Sequence, residues 1–368
     1  MRSCDTGILT FWNVPNYGTF IQAYALQKTI QKLQSTEDVR QIAYLNKKHY
    51  NFYYSPIPKL SRKSPLFWRN LMGNLIGCSE QKRREKAFCA DYATIPHTDA
   101  MNAEKLRDTT FGTVVLGSDI VWDYSIDVFG PDPFLFGVGL KAENVMSYAA
   151  SFGTVKPGQD VPDFVSQGLR RLNSISVRDE NSADMVERIC GTRPQVVLDP
   201  VWLWDFETDD NVQVPQLQNY IAVYGQDFTK EFIDNLVAFA KKEGKTLVCL
   251  DCNDDHYDWC DVVIKQRDLT PYKWLGYFKQ ADYIATSTFH GLTFGLVFKK
   301  RIAFCKTPFI LAKISAFLKK IGIYDLFQDE RAVEAMLGYD WDYSVINAYV
   351  DQEREKSIEF LRNALGRK

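Results

Sequence analysis

The residues in this chain with the strongest claim to chemistry surround His290. It sits in Thr286-Ser287-Thr288-Phe289-His290-Gly291, after the strand-like run Ala281-Asp282-Tyr283-Ile284-Ala285. The apolar stretch 292–298 follows and reads as a helix. An imidazole between a strand and a helix start lies near converging backbone N–H groups and the positive helix end, a place suited to a phosphate or carboxylate. The chain has 4 histidines, and imidazole is the side chain best suited to moving protons near neutral pH. The plainer alternative for His290 is a helix-capping or core histidine.

Four further polar motifs occupy the same kind of position, just after an expected strand. Gly117-Ser118-Asp119-Ile120-Val121-Trp122-Asp123 follows the run 111–116, and Ser151-Phe152-Gly153 follows 144–148. Arg178-Asp179-Glu180-Asn181-Ser182 follows 174–177, and Asp199-Pro200 follows 195–198. Arg178 is suited to a bidentate grip on a carboxylate or phosphate. Asp179 and Ser182 also read as helix caps, and Asp119 and Asp199 as turn formers.

The elements that would position these motifs alternate strand and helix. A strand at 7–11, a turn-rich loop at 13–18, a helix at 19–33 and a strand at 39–45 open the chain like a Rossmann unit. The loop lacks G-x-G-x-x-G, so dinucleotide binding is not supported. A stretch at 46–108 breaks the alternation with Lys47, Lys48, His49, Tyr50, Phe52, Tyr53 and Tyr54, then Lys59, Arg62, Lys63, Trp68 and Arg69, then Lys82-Arg83-Arg84-Glu85-Lys86. It reads as an inserted segment. Its basic side chains either keep it solvated or make peripheral contact with a membrane surface or lipid-phosphate carrier.

Alternation resumes with helices at 160–172 and 181–190. After a polar linker at 205–218, strands at 220–224, 246–250, 283–285 and 302–304 alternate with helices at 230–243, 272–280 and 292–298. The order implies two doubly wound parallel-sheet domains, 1–204 and 205–340, with a closing helical segment at 341–368. A ligand cleft is expected at the carboxyl ends of the strands.

Composition sets the class. The chain has 368 residues, 46% hydrophobic and 24% charged, with a net charge of −2, the make-up of a globular protein with no whole-chain case for nucleic acid. The start Met1-Arg2-Ser3-Cys4-Asp5 lacks a secretory-signal pattern, and no apolar run reaches the ~20 residues a bilayer span needs. Eight scattered cysteines fit reduced thiols and a cytosolic setting, at most with contact to the inner membrane face. Cys249, Cys252, His256 and Cys260 lie close together, but Cys249 belongs to a strand-like run and the spacing misses the zinc-knuckle pattern, so no metal is assigned.

Taken together, these motifs resemble the polysaccharide pyruvyl transferase family. The resemblance is carried by Asn16-Tyr17-Gly18 with Gln22, Ala23 and Leu26, by Gly117-Ser118-Asp119 with Trp122, and by Ser147-Tyr148-Ala149-Ala150-Ser151-Phe152-Gly153. Ser176-Val177-Arg178-Asp179 with Ser182, Asp199-Pro200 and Phe289-His290-Gly291 complete it. It implies two Rossmann-like domains in a GT-B-like arrangement, phosphoenolpyruvate as donor substrate with no further cofactor, a sugar or lipid-linked saccharide as acceptor, and a pyruvate ketal as product. Many members carry an Arg two residues before the His; this chain has Thr288 there. Lys299, Lys300 and Arg301 are candidates to replace that charge.

On this reading His290 is the acid, and Asp119 orients or deprotonates the acceptor hydroxyl. Arg178, Ser287, Thr288 and Gly291 bind the donor. Asn16, Tyr17, Ser118 and Trp122 line the acceptor side. The alternatives are a glycosyltransferase of the same fold using a nucleotide sugar, and a non-catalytic carbohydrate-binding protein.

Overall fold

The computed structural model describes residues 3–54, 79, 82–83, 85–127, 131–252, 257–329 and 331–366. Lys59, Arg62, Lys63, Trp68 and Arg69 of the basic segment, and His256 of the cysteine cluster, lie outside the described residues. The chain forms two compact units, Met1–Trp204 with Glu353–Lys368, and Asp205–Gln352. Each is built on a parallel sheet with helices, an α/β architecture.

In the first unit β1 (Thr6–Leu9), β2 (Val39–Gln41), β3 (Thr110–Leu116) and β4 (Lys141–Ser147) pair in the order β2-β1-β3-β4, all parallel. Bridges from Met146 to Ser174 and from Ala150 to Val177 carry the pattern on to the pair β5 (Ser176–Val177) and β6 (Gln195–Val196). β1 and β3 are buried along almost their whole length, as strands covered on both faces must be. One face packs Phe11, Phe111, Trp122, Phe136 and Phe152. The other packs Ile8, Leu26, Ile30, Val115 and Tyr148 with Leu361 and Ala364.

Leu361 and Ala364 belong to the C-terminal helix Tyr343–Leu365. Its last turns are tied to the first unit by polar bonds. Asn144 donates to the Ala364 carbonyl at 3.0 Å, the Leu198 N–H to Ser357 Oγ at 3.0 Å, and Arg354 to the Trp202 carbonyl at 2.6 Å. The closing segment therefore completes the first unit's core rather than standing alone.

In the second unit β7 (Tyr220–Tyr224), β8 (Thr246–Cys252), β9 (Val262–Lys265), β10 (Tyr283–Thr286) and β11 (Arg301–Phe304) pair in the order β11-β10-β7-β8-β9, again all parallel. The helices Lys230–Glu243 and Pro271–Gln280 match the apolar periodicity of the sequence. The strand β9 and the helices Pro308–Lys320 and Val333–Gly338 were not legible there.

The order of each sheet reverses about its first strand. In the first unit the reversal lies between β1 and β3, and in the second between β7 and β10. The C-terminal edge at such a reversal is where helices leave on opposite faces and open a crevice. Among the described residues, no helix is long and apolar enough to cross a membrane.

Candidate functional site

At the reversal in the first unit, Asp119 closes the turn after β3. Its backbone is left-handed, φ 77°, a conformation that Asp tolerates better than most residues. Gly117, two residues earlier, has φ 101°, and a Cβ there would stand 2.6 Å from the Tyr148 carbonyl; only glycine lets β3 and β4 approach so closely here. The Asp119 carboxylate accepts from Thr19 Oγ1 at 3.1 Å and from the Ile120 N–H at 2.8 Å. The Asp119 carbonyl accepts from the Ser151 N–H at 2.9 Å.

Arg178 shares this place. Its guanidinium donates to Asp199 Oδ2 at 2.7 Å and lies 3.7 Å from Asp119 Oδ1. Its side chain is only 9% exposed. Burial works against its charge, but Asp199 and Asp119 outweigh burial and hold its pKa above the ordinary guanidinium value. Two carboxylates thus take the charge that the sequence reading reserved for a donor anion, and Arg178 fixes Asp119 in place. Asp179 caps the helix Glu180–Cys190 by accepting from the Ser182 N–H at 2.8 Å, and Ser151 Oγ donates to it at 2.6 Å.

His49 is the residue that sequence reasoning missed here. It counted only as part of a basic stretch, yet it is 1% exposed. Its ring meets Phe11 edge-on at 4.4 Å and lies 5.4 Å from Tyr53. Burial pushes its pKa down to about 4, against an upward pull from the Asp119 carboxylate. That pull places an imidazole within electrostatic reach of Asp119. The available signal was the i, i+4 pairing of aromatics around it in Tyr50, Tyr53 and Tyr54.

The residues expected on the acceptor side go elsewhere. Trp122 is fully buried, donates its indole N–H to the Leu135 carbonyl at 2.8 Å and stacks on Phe136 at 5.8 Å. Tyr17 is fully buried against Phe88 at 4.7 Å. Ser118 is fully buried, its hydroxyl bonded to Gln22 and its carbonyl accepting from Thr10 Oγ1 at 2.8 Å. Asn16 caps the helix Tyr17–Gln34 by accepting from the Thr19 N–H at 3.2 Å. Trp122, Tyr17 and Ser118 are buried and present no surface to a ligand, while Asn16 is half-buried and serves the helix cap.

The reversal in the second unit is open. A cavity of about 760 Å3 lies over the carboxyl ends of β7, β8 and β10. Tyr224, Gln226, Asp227, Phe228, Asp251, Tyr257, Trp259, Ser287 and Thr288 are among its lining residues. Gly225 at the end of β7 has φ 148°, and a Cβ there would run into Ser287. Glycine at this position lets the β7 and β10 loops touch, which sets the cavity floor. Ser287 joins them: its hydroxyl donates to the Gln226 carbonyl at 2.6 Å and accepts from the Gln226 N–H at 2.9 Å.

The helix after β10 starts at Phe289, three residues earlier than its apolar stretch suggests, so His290 lies in its first turn. Thr288 is the cap, accepting from the Gly291 N–H at 2.9 Å. Two donor-binding expectations change in consequence. The Gly291 N–H serves the helix cap, and the single Ser287 hydroxyl proton serves Gln226. His290 is half-buried, with its ring edge-on to Phe289 at 5.1 Å and stacked over Phe294 at 6.5 Å.

Lys299, Lys300 and Arg301 lead into the N-terminal end of β11. That is the opposite edge of this parallel sheet from the cavity, so they do not replace the missing charge at Thr288. Burial also lowers the pKa of Lys300. Cys249 is buried in β8, and among the described residues no group of three His, Cys, Asp or Glu side chains could hold a metal ion.

Among curated proteins, no sequence matches this chain. Solved structures similar to it include the S. aureus MnaA–UDP complex, at 10% identity and a TM-score of 0.48, covering 98% of this chain and 91% of that one. The UDP-GlcNAc 2-epimerase from Neisseria meningitidis bound to UDP-GlcNAc is 10% identical, with a TM-score of 0.46 and coverage of 98% and 96%. The glycosyltransferase SnogD from Streptomyces nogalater is 10% identical, with a TM-score of 0.40 and coverage of 98% of each chain. Membership rests on sequence instead. The profile of the polysaccharide pyruvyl transferases matches residues 16–305, a span that holds Asp119, Arg178, Asp199 and His290, and the chain belongs to the polysaccharide pyruvyl transferase family.

Proposed function

We propose that this protein transfers the pyruvyl group of phosphoenolpyruvate to two hydroxyls of a sugar, forming a pyruvate ketal and releasing phosphate. The observation that carries the reading is the position of His290, in the first helical turn beyond β10 and two residues from Thr288 at the cavity wall.

The chemistry needs an acid first. Protonation of the donor's methylene carbon places oxocarbenium character on the neighbouring carbon. A sugar oxygen attacks that carbon and its proton is taken up. The bond from carbon to phosphate oxygen then breaks, and the second hydroxyl closes the ketal. Of the two hydroxyl protons, one replaces the proton given to the methylene carbon and the other leaves with phosphate. His290 is the proposed acid. An imidazole with an ordinary pKa of ~6.5 holds its proton better beside a bound phosphate, and the positive end of the helix Phe289–Val297 adds attraction for the donor's anionic groups.

Asp119 is the proposed base for the acceptor hydroxyl. Arg178 acts through it as a positioning residue, since its guanidinium holds the Asp119 and Asp199 carboxylates. Each role is assigned on the surroundings of that residue within its own unit.

The test is turnover. Phosphoenolpyruvate with a panel of sugar acceptors should release phosphate and give a new ketal methyl resonance. His290→Gln should lower the rate by about 10²-fold or more, as loss of general acid catalysis does, without changing the circular dichroism. Near-normal turnover in that variant removes His290 from the mechanism.

A second reading, transfer from a nucleotide sugar, is favoured by the aromatic rings of the second-unit cavity, which would accept a nucleobase. A ligand bound only by the native state raises its melting temperature. A rise with nucleotide sugars and none with phosphoenolpyruvate would select this second reading.

A further inference from the structure

The segment that interrupts the strand–helix alternation brings a histidine to the same edge as Asp119. In the helix Lys47–Tyr54, Lys47 and Lys48 are exposed while His49 is buried. The cations face solvent and the imidazole goes inward. Two bonds hold the helix in place. The His49 backbone N–H donates to Asn46 Oδ1 at 2.9 Å, and the Tyr54 hydroxyl donates to the Asn13 carbonyl at 2.6 Å.

The route from His49 to Asp119 runs across two neighbouring strands. β1 and β3 pair side by side as far as Leu9 and Leu116. Just beyond, Thr10 Oγ1 donates to the Ser118 carbonyl at 2.8 Å, and the next residues along each chain segment are Phe11 and Asp119. The His49 ring stands edge-on to Phe11 at 4.4 Å, with Tyr53 of its own helix at 5.4 Å. The charge that acts on the ring is that of Asp119.

The carboxylate is gripped from other sides as well. Its Oδ1 accepts from the Ile120 N–H at 2.8 Å and lies 3.7 Å from the Arg178 guanidinium, and its Oδ2 accepts from Thr19 Oγ1 at 3.1 Å. Arg178 is shared with Asp199, and Asp179 adds to the negative charge around it. His49 thus joins a cluster built from the ends of β1, β3 and β5 and the start of the helix Tyr17–Gln34.

Chemistry sets the direction of the contact. Burial pushes the His49 pKa down to about 4, so the ring is neutral at pH 7. A neutral imidazole has one N–H donor and one acceptor nitrogen, and an ionised carboxylate only accepts.

We propose that the neutral His49 ring donates its N–H to the Asp119 carboxylate and, together with Thr19 and Arg178, fixes the direction in which Asp119 meets the acceptor hydroxyl. His49 is then a positioning residue, and the inserted segment supplies it. That the held carboxylate is the base rests on the pyruvyl-transfer reading; the bond itself does not.

The first arm of the experiment needs no turnover. NMR of the full-length protein with isotope-labelled histidine should show a slowly exchanging, downfield ring N–H signal. It should vanish in His49→Phe, move upfield in Asp119→Asn, and keep the neutral pattern from pH 8 down to pH 5. Absence of the signal from the parent protein overturns the proposal. So does a His49 ring that protonates near pH 6.5, or a signal unmoved in Asp119→Asn. The first two results need only the parent fold.

The second arm reads what a packing role would not move. His49→Phe keeps an aromatic ring against Phe11 but has no N–H. Its kcat should fall about tenfold, the scale of a hydrogen bond to a charged group, with an unchanged KM for phosphoenolpyruvate. The acid limb of its kcat profile should move to higher pH, because a donor that favours the ionised carboxylate is gone. His49→Gln keeps a donor and should restore part of the rate and return the limb toward the parent position. An unchanged kcat and acid limb in His49→Phe overturn the proposal. A parent protein without turnover removes pyruvyl transfer, and the ring signal alone then decides whether His49 holds Asp119.

Discussion

Between β1 and β3 of the first unit, the described polar side chains at the sheet reversal are bonded to one another. Between β7 and β10 of the second lies a cavity of about 760 Å3. Both edges are made in the same way, from parallel strands that end in a glycine-dependent close approach at Gly117 and Gly225. They differ in the residues after the glycine. In the first unit Ser118 and Asp119 turn inward and bind Gln22, Thr19 and Arg178. In the second, Gln226 and Asp227 are exposed and the adjoining aromatics stay half-buried. The difference teaches that one sheet architecture can hold a single carboxylate rigidly or leave room for a ligand. The residues just past the strand decide which.

The largest expected effect falls on the first edge. Arg178→Ala leaves Asp199, with a side chain 3% exposed, and Asp119, 12% exposed, without their shared cation. Stranding buried carboxylates in this way costs about 3–5 kcal/mol. Urea unfolding followed by tryptophan fluorescence should show that loss, and Arg178→Lys should recover only part of it because lysine lacks the fork that reaches both partners. A variant with full stability and weakened donor affinity would instead make the first edge an open binding site and erase the contrast.

A second effect separates the two edges by pH. His49 has a folded pKa near 4, below the ordinary 6.5. The unfolded chain therefore takes up this proton first, and stability falls as pH drops from about 6.5 to about 4. The full difference corresponds to roughly 3 kcal/mol. His49→Phe should flatten this part of the profile, read as urea midpoints at pH 7, 5.5 and 4.5. Parallel profiles for the two proteins would mean that the imidazole titrates as in water.

Much of this contrast was legible in the sequence and some was not, for physical reasons. Strand β7 and the helices Lys230–Glu243 and Tyr343–Leu365 carry strong apolar periodicity, and their limits could be read directly. Strand β9 is apolar, Val262-Val263-Ile264, but only 4 residues long and alternately half-buried and exposed, so its pattern is too short to stand out. The motif positions at strand ends were legible because a parallel sheet collects them at one edge. What each motif does there was not. Trp122 and Tyr17 bear polar atoms that suit either a ligand or a core carbonyl, and only the fold shows Trp122 donating to Leu135. The Asp199–Arg178 bond joins positions 21 residues apart through a parallel crossover. His49 meets Phe11 and the field of Asp119, and no local spacing encodes that.

The smallest effect belongs to the open edge. Thr288 is both the cap of the helix that carries His290 and part of the cavity wall. Thr288→Ala removes the Oγ1 that accepts from the Gly291 N–H at 2.9 Å, and loss of such a cap costs about 1 kcal/mol. Thr288→Ser keeps the oxygen and should remain near the parent stability. Because the cap sets the first helical turn, the alanine variant should also slow the reaction assigned to His290 beyond what its small loss of stability explains, while the serine variant should not. Equal rates in both variants would free His290 from its dependence on this cap. The open edge would then tolerate change at its rim in a way the first edge, with Arg178 at its centre, does not.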